Sequence, residues 1–144
     1  MKQATVLFLF ILLCSFAYSQ HRDLKKRVVK FHEIEEDQNL NDHDKAIKLK
    51  EYILPGIKND SMAHFFSKNW NYLNSISKKL ETRIVSIDIN PDNIEATVTI
   101  EDILTYASGE KAVFISKTIW VKENTVWYRS YKKSQLYKNG VRVR

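Results

Sequence analysis

Asp102 and Lys117 each fall on a strand phase otherwise held by aliphatic residues, and a carboxylate and an ammonium set among apolar neighbours are the first candidates for chemistry in this chain. A charge taken out of water is costly unless it is paired. Two such groups within reach of each other therefore describe either a structural ion pair or the polar end of a ligand site. In a ligand site Asp102 is the proton donor or acceptor, its pKa raised by enclosure, and His64 or Tyr106 closes the polar cluster. Phe66 and Trp70, from the helix before the strands, would then contact the same ligand as Asp102 and Lys117. The competing reading places Asp102 at a fraying strand end and lets Lys117 snorkel to the rim.

Other motifs fall short of chemistry. His21, His32, His43 and His64 show no HxxxH spacing, and none stands beside a Ser or Cys in a nucleophile motif. They read as surface or cap residues. Asp37-x-Asn39-x-Asn41 imitates the start of a calcium loop, but its sixth position is Asp42 instead of Gly and its twelfth is Lys48 instead of Glu. No metal and no cofactor is expected.

The elements that must position these residues follow from periodicity. Leu24, Val28, Phe31 and Ile34 predict a helix over 22–37. Asn41 or Asp42 caps a second helix with Ala46, Leu49, Tyr52 and Ile53 as its stripe, ended by Pro55-Gly56. A third helix, capped by Asp60 or Ser61, carries Met62, Phe65, Phe66, Leu73, Ile76 and Leu80 inward, with Trp70 near that stripe. Four strands come next. Val85, Ile87 and Ile89 share one face of the first, and Ile94, Ala96, Val98 and Ile100 one face of the second. Val113, Ile115, Ile119 and Val121 do so in the third, and Val126 and Tyr128 in the fourth.

Reading Ser108-Gly109 and Glu123-Asn124 as two-residue turns sets Asp102 opposite Ile115, Ile100 opposite Lys117, Trp120 opposite Trp127 and Lys117 opposite Ser130. Asp102 and Lys117 are then diagonal neighbours on the helix-facing side. Phe114, Trp120, Trp127 and Tyr131 fall on the outward face with Arg129, an apolar patch that would serve as a homodimer interface or be covered by the chain from Ser134 on. Helices followed by an antiparallel sheet make the fold α+β, with N-terminal helices packed on one face of a curved sheet of four or more strands.

The ends bound the setting. Lys2, the apolar run Val6–Leu13 and Ala17-Tyr18-Ser19 read as a signal peptide over residues 1–19 cleaved before Gln20, which makes the mature protein periplasmic or extracellular. The apolar run is shorter than the roughly 20 residues a bilayer needs, so no transmembrane segment is expected in the mature protein. Acylation of Cys14 is disfavoured because Leu13 stands where a small residue belongs. Loss of the signal removes the only cysteine, so the mature domain, residues 20–133, holds together without a disulfide. The formal charge of +6 is uneven, with Arg129, Lys132, Lys133, Lys138, Arg142 and Arg144 clustered toward a basic tail at 134–144. Export makes nucleic acid an unsuitable partner, but an anionic surface would suit that tail.

The helix Ser61–Leu80, the hairpin sequence INPDNIEATVTI and the closing IWVKENTVWYRS together resemble small exported bacterial members of the nuclear-transport-factor-2-like superfamily, the cystatin-like cone. The resemblance implies a cone with acid–base Asp, His or Tyr residues inside it in enzymatic members, a position like that of Asp102. It also implies dimerisation through the outer sheet face in many members. The resulting expectation is an exported, non-catalytic domain that binds a small hydrophobic ligand or a protein partner. A small acid–base enzyme using Asp102 and an envelope or surface interaction module are the alternatives.

Overall fold

A computed structural model of the chain describes residues 2–132 and 134–143, with side chains described from Cys14 onward except Phe16. The side chains of the expected signal core, and Lys133 and Arg144 of the expected basic tail, lie outside the described residues. Three helices, α1 (Lys2–Glu36), α2 (Asp42–Lys50) and α3 (Asn59–Ile76), precede six strands. These are β1 (Ser77–Ile89), β2 (Glu95–Tyr106), β3 (Lys111–Glu123), β4 (Val126–Arg129), β5 (Gln135–Lys138) and β6 (Val141–Arg142). The strands form one curved, unclosed antiparallel sheet in the order β1-β2-β3-β5-β6, with β4 also paired to β3. Among the described residues no helix is long and apolar enough to cross a membrane.

The apolar stripes of the three helices and the inner face of the sheet meet in one core. Leu24, Val28 and Phe31 of α1, Ala46 and Leu49 of α2, and Ala63 of α3 join Ala96, Val98, Ile100, Trp120 and Trp127 in one buried core. Burying such side chains is the main term favouring the fold. Asn41 caps α2, its Oδ1 accepting from the Asp44 amide at 2.9 Å. Lys45 of α2 is fully buried and donates from Nζ to the Glu35 carbonyl at 2.6 Å, satisfying an acceptor at the end of α1. Two helix boundaries differ from expectation. α1 begins at Lys2 and runs unbroken through the expected signal segment. α3 stops at Ile76 because Ser77 turns extended (φ −101°, ψ 140°), which moves Leu80 from the helix to β1.

Asn59 gathers the backbone carbonyls of the connection between α2 and α3. Asn59 is buried, and its Nδ2 reaches the Ile53 carbonyl at 2.9 Å, that of Lys50 at 3.1 Å and that of Leu54 at 3.3 Å. The Tyr131 hydroxyl also donates to the Leu54 carbonyl. Asn59→Ala and Asn59→Asp should each cost about 1–3 kcal/mol, because neither side chain donates and the buried carbonyls lose their partner. Urea denaturation checks this, and an Asn59→Asp midpoint equal to wild type would refute it.

The sheet corrects the expected register. The Tyr106 amide bonds the Glu110 carbonyl at 2.9 Å, so Ala107-Ser108-Gly109 is a three-residue turn with Gly109 in the left-handed region (φ 87°). Asp102 consequently pairs with Phe114 and Ile100 with Ser116, one residue away from the two-residue-turn register. A one-residue slip sends every side chain of a strand to the other face. Phe114 and Trp120 of β3 therefore face the helices, and Lys117 is exposed on the outside, opposite Thr99 and Gln135.

The next turn is Asn124-Thr125, both at positive φ, which sets Trp120 opposite Arg129 and Trp127 opposite Lys122. Trp120 and Trp127 are each 1% exposed, so the outward aromatic interface expected of Phe114, Trp120, Trp127 and Tyr131 does not exist as such. β1 has an irregularity between Ile84 and Ser86 that leaves Val85 exposed while Ile84 and Ile87 stay inward. Within the expected basic tail, β5 and β6 form a hairpin closed by an Asn139-Gly140 turn with both residues at positive φ.

Candidate functional site

Between α1, α3 and the concave face of the sheet lies a cavity of about 360 Å³, open at one side. Its walls are mostly aromatic and aliphatic. α1 contributes Phe31, α3 Phe65, Phe66, Trp70 and Leu73, and the sheet Leu80, Leu104, Phe114, Trp120 and Leu136. Phe31 is the hub, with ring centroids 5.7 Å from those of both Phe66 and Trp120 in edge-to-face contact. Phe65 and Tyr72 are exposed, and both border the cavity from α3.

The polar groups are His32, Glu35 and Asp102, with Arg129, Asn69, Ser116, Thr118 and Ser134 elsewhere on the wall. His32 Nδ1 and Glu35 Oε2 meet at 2.7 Å, one turn apart on α1. Burial acts to lower the His32 pKa, but the Glu35 charge overrides it and the net shift is upward. Burial likewise raises the Glu35 pKa, against the pull of His32 and Arg129. Asp102 accepts from the Thr82 hydroxyl at 2.7 Å. Its withdrawal from water pushes its pKa up to about 6, with the Thr82 bond and the charge of His32 opposing that rise.

Arg129 is 4% exposed and committed to structure. Nη1 donates to the carbonyls of Ser130 (3.0 Å) and Ile119 (3.2 Å), Nη2 donates to Ser134 Oγ, and the guanidinium lies 5.7 Å from the Phe66 ring centre. It had been expected on the outward face, and the shifted register brings it inside. Among the described residues, no three His, Cys, Asp or Glu side chains converge to hold a metal ion.

This arrangement of helices on a hollow, strongly bent sheet can be compared with known proteins. No family model and no curated protein matches the sequence significantly. Among solved structures, a designed protein named for the nuclear-transport-factor-2 fold superposes with a TM-score of 0.57 at 13% identity, over 81% of this chain and 98% of that one. The fold is the nuclear-transport-factor-2-like cone. A looser likeness, at a TM-score of 0.41 and 13% identity, is to the intermembrane-space region of the chloroplast protein ARC6, over 81% of this chain and 95% of that region.

Seen as a cone, the molecule sorts the sequence-derived residues plainly. Asp102, Phe66 and Trp70 line its cavity. Lys117 does not, and neither do His64 nor Tyr106. His64 is an exposed α3 residue whose Nε2 lies 3.8 Å from Asp60, away from Asp102. The partner expected of Asp102 is thus replaced by Thr82 and the charge of His32, a histidine expected at the surface or in a cap because it belongs to no ligand or nucleophile motif. A signal for Glu35 was present. Leu24, Val28, Phe31 and Glu35 follow steps of four, three and four, so a carboxylate stands where the next buried member of the stripe is due.

Proposed function

We propose that the chain is an exported domain, cleaved before Gln20, whose cone binds one small, largely apolar molecule with a polar group directed at Asp102 and His32. The observation that carries this reading is the cavity itself. Its volume falls within the range of small-molecule sites, and it combines an aromatic wall with few convergent polar groups. Edge-to-face rings such as Phe31, Phe66 and Trp120 suit a planar or alicyclic skeleton, while a carboxyl of raised pKa favours a hydroxyl or amine able to share its proton. Ser116 faces the cavity from β3, so Ser116→Trp fills it without disturbing the core cluster. The neutral fluorophore N-phenylnaphthylamine should brighten on binding wild type and stay dark with Ser116→Trp at unchanged circular dichroism. Equal brightening in both would place the binding outside the cone.

A second reading, proton transfer by Asp102, has specific support. The carboxyl faces a cavity, is largely enclosed and has a pKa close enough to neutrality to give or accept a proton. Once a ligand is found by displacement of the fluorophore, Asp102→Asn separates the two. Retained binding with lost turnover marks an enzyme, and weakened binding with no turnover in wild type marks a carrier.

A further inference from the structure

Gln20 is the first described side chain of α1 to be buried. Cys14, Ser15, Ala17 and Tyr18 before it are exposed, whereas Gln20 is 9% exposed and Leu24, one turn on, is fully buried. The Gln20 carboxamide is also held across the fold, where Oε1 accepts a hydrogen bond from Nζ of Lys122 on β3. That ammonium is itself positioned, 5.7 Å from the Trp127 ring centre. Cleavage before Gln20 would add a second cation, the new α-amine, within one side-chain length of the first. It would also set that positive charge at the start of a helix, where the backbone dipoles disfavour it.

We infer that the mature protein relieves this by closing Gln20 into an N-terminal lactam, a pyroglutamyl residue formed under the influence of Lys122. The α-nitrogen attacks Cδ of its own side chain, the new N–Cδ bond forms and the Cδ–Nε2 bond breaks. Nε2 leaves as ammonia with one proton from the α-nitrogen, and nothing is oxidised or reduced. Lys122 assists twice. Its bond to Oε1 polarises the carbonyl and stabilises the oxyanion of the tetrahedral intermediate, and its charge favours the neutral, nucleophilic form of the neighbouring amine. Oε1 stays on Cδ as the lactam carbonyl, so an acceptor for Lys122 is retained, while the unfavourable charge at the helix start is gone.

This inference rests on the proposed cleavage site, and one experiment keeps the two apart. Mass analysis of the exported protein should find a chain that begins at residue 20, is one ammonia lighter than the encoded sequence and resists Edman degradation. A free glutamine at residue 20 overturns the lactam and leaves the cleavage reading standing. A different first residue overturns both. In a second arm, folded protein is released in vitro by a protease that leaves Gln20 first. Cyclisation followed by mass should then be several-fold faster in wild type than in Lys122→Met of equal helicity, and equal or slower cyclisation in wild type overturns the role given to Lys122.

Discussion

Trp120→Ala should lower stability by about 3–5 kcal/mol, the usual cost of emptying a large buried aromatic site. Trp120 is 1% exposed, its indole stands edge-on to Phe31 at 5.7 Å, and its Nε1 donates to the Thr118 hydroxyl at 3.3 Å. The same ring separates the cavity from the core beneath it, so the gap left by alanine would open onto the cavity. Chemical denaturation with far-ultraviolet detection reads the loss. The result also decides the face of β3. An outward Trp120 would be replaced at almost no cost to the monomer, so a midpoint unchanged from wild type would overturn the register.

Asp102→Asn should do the opposite and stabilise the protein at neutral pH by about 2–3 kcal/mol. The sign follows from linkage. The folded-state pKa is raised from 3.8 to about 6, so the fold favours the protonated carboxyl. Its contribution is fully present below the unfolded value and is lost as pH rises through the folded one. At about 1.36 kcal/mol per unit, the displacement sets the size of the penalty that the ionised group carries above pH 6. Asparagine keeps an oxygen for the Thr82 hydroxyl and carries no charge. Wild type and variant should therefore be equally stable near pH 3.5 and diverge between about pH 4 and 6. Parallel stability profiles across that window would mean that Asp102 is solvated, and the site would lose its polar centre.

The helices and β2 were legible because their patterns admit one answer. Leu24, Val28 and Phe31 recur at helical spacing, and Ala96, Val98 and Ile100 alternate with polar residues, so each element has a single apolar face. β3 was not legible, because both of its faces are apolar. Val113, Ile115, Ile119 and Val121 occupy one phase and Phe114 and Trp120 the other, so alternation cannot choose. The choice fell to the turn, where Gly109 at the end of a three-residue loop and Gly109 in a two-residue loop look alike in sequence and give opposite faces. That single residue carried Lys117 out of the site and Arg129 into it. His32 was missed because it flanks the Phe31 stripe, and only the curvature of the sheet makes a wall beside that stripe. Asn139-Gly140, a strong hairpin signal, was obscured by the basic residues around it.

The short hairpin of β5 and β6 gives the cone one wall much weaker than the rest. β5 spans four residues and β6 two, the pair sits at the sheet's edge, and beyond the ladder it is tethered by the Asn139 side chain accepting from the Val113 amide at 2.9 Å. Yet Leu136 and the adjoining Ser134 border the cavity. Few buried contacts and an exposed ladder place an element at the low end of local unfolding free energy. Amide protons of β5 should exchange with solvent well before those of β2, through openings that leave the rest of the domain intact. A molecule enclosed by such a wall need not wait for global unfolding to depart, and its residence time would then be governed by how often six residues let go of their neighbours.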